Sequence, residues 1–315
     1  MSKKFNRFLF FSCPHFTMTS PQNRKENYGE LILEKLIWII DKADYLQANL
    51  VCLGDWFHKK TGVTEHEKIC MMRLLEDRNV ITVLGNHDIQ AYNQNTDTQA
   101  IGILEQAGCV DLSEDWKFFN SKGQFIHMTA VNYHADYNVP ETLSVKGDAD
   151  AMFHIHLTHA LLTKQSLPYE TLKIEDVEIN ADLLINGHFH EAWSSEEDGV
   201  YNTGAVARIA MTDNGMTKTP KCLYVEVNER ITMKKDNVIE WIDIPCEEDV
   251  WMKRTTRETM DNEEVDKFVE KMRETGMLQN QESILADLLS KVDAEIAEDV
   301  KIKVKTLLEN EESKY

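Results

Sequence analysis

The sequence has no apolar run that approaches the roughly 18 residues a membrane-spanning helix needs. Its charged start, Met1-Ser2-Lys3-Lys4, leads only into a short apolar run, Phe8 to Phe11, before polar residues follow. Hydrophobic residues make up 42% of the 315-residue chain, which is enough for a sizeable core. We therefore expect a globular, soluble protein of the cytoplasm with no membrane association.

The sequence also lacks any Cys-x-x-Cys pair. The chain is too large to depend on a disulfide framework, so we expect its cysteines to be reduced. They are scattered along the sequence: Cys13, Cys52, Cys70, Cys109, Cys222 and Cys246.

An excess of positive charge is missing as well, since 34 Lys and Arg stand against 54 Asp and Glu, a formal charge of -20. Nonspecific affinity for nucleic acid comes chiefly from Lys and Arg at phosphates, so this charge argues against broad attraction to DNA or RNA. Much of the acidity lies after Glu240, and bound divalent metals would add positive charge where a phosphate sits. The net charge alone is therefore weak evidence about nucleic-acid binding.

Short apolar runs alternate with helical periodicity over the first 190 residues, without an internal repeat or a low-complexity linker. This alternation predicts helices layered over a central sheet. The predicted helices cover 31–48, 65–75 and 98–106, and the predicted strands cover 8–13, 50–53, 80–84, 125–131, 151–158 and 183–185. Between 201 and 244 the period is closer to two, with strands at 221–227 and 238–244 that predict a second sheet or a capping element.

The character becomes helical and acidic beyond Pro245. Asp261 and Glu264 resemble a capping box, and two apolar stripes follow it. These stripes either pack on the main domain or dock a partner. We therefore divide the chain into a main domain, 1–245, and a helical extension, 246–315.

Polar clusters recur where the predicted strands end, and such ends build the sites of open α/β sheets. One Gly-Asp pair or one histidine is weak evidence for a site. Five such clusters in this order are strong evidence. Imidazole, carboxylate and amide oxygen suit a pair of divalent ions about 3.5 to 4 Å apart, which can hydrolyse phosphate esters. The clusters are Cys13-Pro14-His15, Gly54-Asp55, Gly85-Asn86-His87-Asp88, His159 and Gly187-His188-Phe189-His190.

This ordered set resembles the calcineurin-like metallophosphoesterase superfamily, whose signature is D-x-H, G-D, G-N-H-[D/E], a lone His and G-H-x-H. The resemblance implies a four-layer α-β-β-α sandwich and attack by a hydroxide that bridges two metal ions. It places His15, Asp55 and His190 on the first ion, with Cys13 where the family has aspartate. It places Asp55, Asn86, His159 and His188 on the second ion, and makes His87 the catalytic histidine that is not a ligand.

Three of these positions leave alternatives open. His159 is preferred to His156 as the lone histidine because it ends the apolar run, and His154 and His156 are then structural. Asp88 either orients local groups or is a solvated turn residue. Cys13 either ligates, which would favour zinc or iron, or is a small buried residue beside a weakened first ion.

The flanking residues most resemble the SbcD-type nuclease subunit of DNA double-strand-break repair complexes. Gly54-Asp55-Trp56-Phe57-His58 is similar to the G-D-x-F-H form of those nucleases, in which the histidine helps position the scissile phosphate. Otherwise His58 is an exposed loop histidine. The segment Asn202-Thr203-Gly204, followed by Arg208, is also similar.

This resemblance implies manganese-dependent exo- and endonuclease cleavage of DNA. It also implies that the C-terminal helices dock on an SMC-like ATPase, and a homodimer is a further expectation. The alternatives are a nucleotide or protein phosphatase with the same core, and a binding subunit with an impaired metal site.

Overall fold

The computed structural model describes residues 4–21, 24, 27–90, 93, 95–134, 140–164, 171–209, 217–228 and 237–246. The predicted helical extension, 246–315, lies outside these residues except for Cys246. Among the described residues, no helix is long and apolar enough to cross a membrane.

The described residues form helices and strands, which alternate from β1 to β4. The helices are α1 (Tyr28–Leu46), α2 (Glu65–Leu74) and α3 (Ala100–Gln106), and short 3₁₀ turns cover Thr96–Thr98, Pro140–Leu143 and Ile174–Asp176. The strands are β1 (Arg7–Phe11), β2 (Asn49–Cys52), β3 (Val80–Thr82), β4 (Val110–Asp111), β5 (Asp115–Phe119), β6 (Phe125–Val131), β7 (Phe153–Thr158), β8 (Leu162–Thr163), β9 (Leu172–Lys173), β10 (Leu183–Asn186), β11 (Trp193–Ser195), β12 (Val200–Asn202), β13 (Lys221–Glu226) and β14 (Val238–Asp243).

The larger strands form two six-stranded sheets. The first has the order β14-β13-β1-β2-β3-β4, and its members β1 to β4 are parallel. The second has the order β11-β12-β10-β7-β6-β5, and β6, β7, β10 and β12 are parallel. Parallel strands present their carboxyl ends at one edge, so each sheet offers a row of loops there.

Apolar side chains from both sheets meet in one layer of core. Phe8, Phe10 and Leu223 of the first sheet pack there with Ile155 and Ile185 of the second. The alternate residues of the first sheet, such as Leu9 and Phe11, face the helices instead. Leu184 and Val200 of the second sheet face a smaller cluster under the loops and 3₁₀ turns around 143–177. The predicted mixed α/β sandwich is thereby confirmed.

The prediction of a separate sheet or cap between 201 and 244 was wrong for the two strands at 221–244. β13 pairs antiparallel with β1, and β14 pairs antiparallel with β13, so both extend the first sheet. The reason is burial, because Leu223 and Val225 alternate into the layer between the sheets.

Helix α2 begins with a capping box that also fixes the loop after β1. The Glu67 carboxylate accepts hydrogen bonds from the Thr64 N–H at 2.8 Å and from the Thr17 hydroxyl at 2.8 Å. It accepts the Met18 N–H as well, also at 2.8 Å. One buried carboxylate thus joins a helix start to the chain that follows His15.

Two buried histidines on the outer face of the second sheet share one hydroxyl. The Thr129 oxygen lies 2.8 Å from His154 Nε2 and 2.8 Å from His156 Nδ1. A hydroxyl donates a single proton, so one imidazole accepts from Thr129 and the other donates to it. Burial lowers the pKa of His156 to about 3 and also lowers the pKa of His154. These rings belong to the packing of the sheet.

We expect His156→Asn to flatten the acid side of the stability profile. The folded-state pKa of His156 lies below its unfolded value of 6.5, so the unfolded state binds more protons between these two values. Stability is then complete above pH 6.5 and falls as the pH drops, by up to about 1.4 kcal/mol per pH unit for this one group. Urea unfolding between about pH 4 and pH 7 measures it.

The exposed His66 offers a matched control. His66→Asn removes an exposed imidazole. The dependence of its stability on pH should therefore follow that of the unaltered chain. Equal profiles for both variants would contradict the role of His156.

Candidate metal centre

The loops at the carboxyl ends of five parallel strands converge between the two sheets. Strands β1, β2 and β3 of the first sheet lead into Cys13-Pro14-His15, Gly54-Asp55 and Gly85-Asn86-His87. Strands β7 and β10 of the second sheet lead into His159 and Gly187-His188-Phe189-His190. Each predicted cluster therefore starts where a buried strand stops.

The Asp55 carboxylate lies at the centre of this site and is only 1% exposed. Its Oδ2 atom is 3.5 Å from His15 Nε2 and 3.3 Å from His159 Nε2. Its Oδ1 atom accepts the main-chain N–H of His87 at 2.7 Å. One oxygen of Asp55 thus faces histidines that come from the two different sheets.

Two further donor pairs extend the site on either side of Asp55. His15 Nε2 lies 3.1 Å from His190 Nε2, and His159 Nε2 lies 3.3 Å from Asn86 Oδ1. Donors bound to one ion at about 2.1 Å in a tetrahedral arrangement lie roughly 3.4 Å apart. The separations observed between neighbouring donors are those of a ligand set, and the donor types suit a divalent transition metal.

Cys13 and His188 complete the arrangement. The Cys13 sulfur lies within 4.8 Å of donor atoms of His15 and His190, and of donor atoms of Asp55 and His159. The His188 ring centroid is 4.9 Å from that of His159. All seven residues predicted as ligands therefore meet in one place.

Asp55 and His159 each shift the pKa of the other toward its charged form. Burial works against the charge on Asp55, but His159, His15 and His87 hold the pKa of its carboxyl well below the usual range. Burial also opposes a charge on His159, yet the Asp55 carboxylate raises the pKa of that imidazole. Asp55 is therefore an anion at neutral pH.

Burial favours the neutral form of three other histidines of the site. Burial lowers the pKa of His188 to about 3, that of His190 to about 4, and that of His15 well below its ordinary value. A neutral imidazole keeps a lone pair, which is the form that binds a metal ion. Protons would therefore compete only weakly with a metal ion for these three imidazoles near pH 7.

Main-chain carbonyls fix which ring nitrogens face the site. The Nδ1–H of His159 donates to the Leu53 carbonyl, and the Nδ1–H of His87 donates to the His58 carbonyl at 2.6 Å. A carbonyl can only accept, so Nδ1 carries a proton in both rings and Nε2 is the nitrogen left for another partner. Histidines that bind a metal ion are commonly oriented in this way, as we predict for His159.

The backbone at the site adopts conformations that side chains disfavour. Cys13, His15, Asp55 and His188 have φ angles of 51°, 44°, 60° and 67°, in the left-handed region. Such angles persist where the surrounding structure holds them, and they cluster at functional sites. A Cβ on Gly54 would lie 2.6 Å from the Gly85 nitrogen, so these two loops can approach only because both carry glycine.

The two predicted catalytic histidines lie next to His15. The His87 and His58 ring centroids are 4.7 Å and 5.8 Å from that of His15, and 6.0 Å from each other. His58 is half-buried, and its Nδ1 is buried with no hydrogen-bond partner among the described residues. The structure thus brings His58 to the site, whereas an exposed loop histidine would lie away from it.

Asp88 has a positioning role within this centre. Its Oδ2 accepts the N–H groups of Asp55 at 2.7 Å and Gly85 at 2.9 Å, and its Oδ1 accepts the N–H of Trp56 at 2.9 Å. The residue is 4% exposed, so the alternative of a solvated turn aspartate was wrong. Burial, followed by the charge of Asp55, raises the pKa of Asp88 to about 7.

Two asparagines, Asn186 and Asn202, tie the histidine loops of the second sheet. The sequence analysis noted Asn202 as part of a resembling segment and missed Asn186. The Asn186 amide bonds the Ala160 N–H and carbonyl, both at 3.0 Å, and the Asn202 side chain at 2.7 Å. Asn202 in turn donates to the carbonyls of Phe189 and Glu191. The position of Asn186 at the end of β10 is the signal that could have identified it.

The sequence matches the calcineurin-like phosphoesterase family over residues 6–192, more than half of the chain. The chain belongs to the calcineurin-like phosphoesterase family. The matched range holds every residue that we predicted to act at this site.

Comparison with curated proteins finds no significant match. Among solved structures, the protein TT1561 of Thermus thermophilus is similar with a TM-score of 0.43 and 11% identity, over 76% of this chain and 99% of that one. A 5'-nucleotidase from Candida albicans gives 0.42 and 11%, over 78% of this chain and 53% of that one. A Vps29 single mutant from Entamoeba histolytica gives 0.32 and 15%, over 76% and 99%. The family assignment rests on the sequence match alone.

We expect Asp88→Asn to destabilise the fold by about 2 kcal/mol, because an amide NH₂ would oppose main-chain N–H groups that now donate to a carboxylate. Urea unfolding of the metal-free chain measures the difference. The control is Asp77→Asn, the same substitution at an exposed residue, which should stay within about 0.5 kcal/mol. Similar losses of stability for both variants would argue against a role of Asp88 in joining the loops.

Proposed function

We propose that the chain is a two-metal phosphodiesterase and, more narrowly, a DNA nuclease like the SbcD-type subunit of double-strand-break repair complexes. The observation that carries the proposal is the position of Asp55 Oδ2, which faces His15 at 3.5 Å and His159 at 3.3 Å. A carboxylate oxygen between two ligand sets is what a pair of neighbouring ions requires.

The proposed ligands divide into two sets that share Asp55. Cys13, His15, Asp55 and His190 would hold the first ion, and Asp55, Asn86, His159 and His188 the second. Two ions bound there would shield the charge of phosphate oxygens and activate a water molecule as nucleophile. Phosphoester hydrolysis is the chemistry that this donor set supports best.

His87 is the proposed catalytic acid. Its Nδ1–H is held by the His58 carbonyl at 2.6 Å, and its main-chain N–H is held by Asp55 at 2.7 Å. The ring therefore presents Nε2. In the doubly protonated imidazolium, Nε2 could donate a hydrogen bond or a proton to the leaving oxygen of a phosphate ester. His58, beside it, would contact the phosphate.

The sulfur of Cys13 bears on the choice of metal. Burial and the Asp55 charge raise the pKa of the Cys13 thiol far above its ordinary value, so a thiolate there needs a bound cation. The main-chain N–H of His188 and the Lys218 ammonium act in the opposite direction. We propose manganese from the resemblance to the nucleases, with zinc or iron favoured if the sulfur ligates.

The narrower proposal of a nuclease is supported by the G-D-x-F-H segment. His58 of that segment lies with His87 and His15 in one group of imidazoles whose nitrogens are within 4.8 Å of one another. Docking of an SMC-like ATPase on the C-terminal extension, and a homodimer, remain part of the proposal. A nucleotide or protein phosphatase would use the same core.

A second candidate is a binding subunit with an impaired metal site. Cys13 favours it, because a neutral buried thiol replaces the aspartate of the family pattern. Such a subunit would retain fewer than two ions per chain and would gain activity when the carboxylate is restored.

The nuclease proposal predicts that the purified chain holds two divalent ions and cleaves single- or double-stranded DNA with manganese. His87→Ala should lower the cleavage rate roughly a hundredfold or more, because a positioned acid is lost, while the metal content stays the same. Metal analysis and gel assays of labelled DNA measure both quantities.

His66→Ala is the matched control, since His66 is exposed and lies outside the site. Undiminished cleavage by His87→Ala would overturn the catalytic assignment. Cleavage of nucleotides or phosphopeptides without cleavage of DNA would favour the phosphatase.

For Cys13→Asp we expect a shift in metal preference toward manganese and away from zinc, because a carboxylate replaces a softer sulfur ligand. Competition between the two metals, read by metal analysis, measures the shift. Cys222→Ala, at a buried cysteine outside the site, should leave the preference unchanged. Activity that appears only in Cys13→Asp would favour the impaired binding subunit.

A further inference from the structure

The carboxyl end of strand β6 also reaches the proposed metal centre, although none of the predicted site residues lies on it. Strand β6 is parallel to its neighbour β7. Asn132 and Tyr133, which follow β6, therefore lie at the same edge of the second sheet as His159, which follows β7. Tyr133 is a buried aromatic residue that the chemistry described so far does not use.

Hydrogen bonds attach this end of β6 to the first sheet. The N–H of Leu84 donates to Asn132 Oδ1 at 2.7 Å, and the Leu84 carbonyl accepts the N–H of Tyr133 at 2.9 Å. Leu84 directly precedes the loop that carries Asn86, a proposed ligand of the second ion. The main chain of Tyr133 is thus fixed relative to that ligand loop.

The Tyr133 ring lies against both proposed histidine ligands of the second ion. Its centroid is 6.4 Å from that of His159, with 84° between the ring planes, and 6.2 Å from that of His188, with 44° between them. The two imidazole centroids are 4.9 Å apart. These separations are in the range of interacting aromatic pairs, so the three rings pack as a triangle.

The histidine of the first ion has different aromatic neighbours. The ring of His15 contacts those of His58, His87 and His190, at centroid separations of 5.8, 4.7 and 5.0 Å. The ring contacts of Tyr133 with site histidines are therefore those on the side of the second ion.

An imidazole binds a metal ion only when its ring is turned toward the ion, so contacts that restrict its rotation favour binding. The Leu53 carbonyl restricts the ring of His159 through its Nδ1–H. His188 has a φ angle of 67°, a backbone conformation that the surrounding structure must maintain. Packing of the Tyr133 ring restricts both imidazoles at once.

We propose that Tyr133 is a positioning residue of the second ion, and that its aromatic ring holds the imidazoles of His159 and His188 in the orientation that binds the ion. The inference rests on the proposed two-metal function and adds a residue to the same site. It assigns the effect to the ring and not to the phenol hydroxyl.

Three variants separate the ring from the hydroxyl and from general effects on the core. Tyr133→Leu removes the ring and keeps an apolar side chain, whereas Tyr133→Phe removes the hydroxyl alone. Tyr224→Leu is the matched control, since Tyr224 is a buried tyrosine of β13. Thermal unfolding of the metal-free chains checks the fold. If Tyr133→Leu does not fold, Tyr133→Met takes its place, because a flexible methionine fills irregular gaps.

The affinity for manganese is measured by calorimetry in two backgrounds that each retain one proposed ligand set. In His190→Ala, which lacks a ligand of the first ion, Tyr133→Leu should weaken manganese binding roughly tenfold or more, the usual effect of losing a group that orients a metal ligand. In His188→Ala, which lacks a ligand of the second ion, the same change should alter the affinity by less than about twofold. Tyr133→Phe and Tyr224→Leu should leave both affinities unchanged.

Three results would overturn the inference. Equal losses in the two backgrounds would show a general effect on the fold. Unchanged affinity in Tyr133→Leu would show that the ring is not needed. A loss in Tyr133→Phe as large as in Tyr133→Leu would assign the effect to the hydroxyl.

The two levels of the proposal fail in different ways. If the unaltered chain binds fewer than two manganese ions, or if neither His190→Ala nor His188→Ala retains one, the two-metal function is wrong and the inference fails with it. If the unaltered chain binds two ions and Tyr133→Leu binds both normally, only the role of Tyr133 is wrong.

Discussion

The site depends on a buried carboxylate, Asp55, which faces imidazoles from two different sheets. Burying an ionised carboxylate costs several kcal/mol unless partners compensate for the lost water. Here His15, His159 and the His87 N–H supply those partners at 3.5, 3.3 and 2.7 Å. The two sheets must therefore hold their loops in register, because a small displacement of either would leave the charge without partners.

Hydrogen bonds with buried side chains hold the loops in place on both sides of the Asp55 carboxylate. Asp88 gathers N–H groups from the two glycine-containing loops of the first sheet, and Asn186 joins the two histidine loops of the second. The left-handed backbone at Asp55 and His188 shows that these loops are held against their own preference. Stability elsewhere in the sandwich maintains this arrangement.

The sequence was sufficient to predict the site residues that follow a local sequence pattern. Asp55 and His159 end apolar runs, and parallel strands bring such ends together, so their meeting could be predicted. The role of Asp88 could not, because a turn aspartate and a buried acceptor of N–H groups read alike. The strand β5, whose side chains alternate between exposed and half-buried, carries too weak an apolar pattern to predict.

The central claim is that two cations share the Asp55 carboxylate, and the magnetic coupling between two bound manganese ions tests it most directly. Ions about 3.5 to 4 Å apart that share an oxygen ligand are exchange-coupled. Electron paramagnetic resonance of the chain loaded with manganese should therefore show a coupled spectrum that Asp55→Asn abolishes. Spectra of isolated ions only, or binding of a single ion by the unaltered chain, would contradict the account.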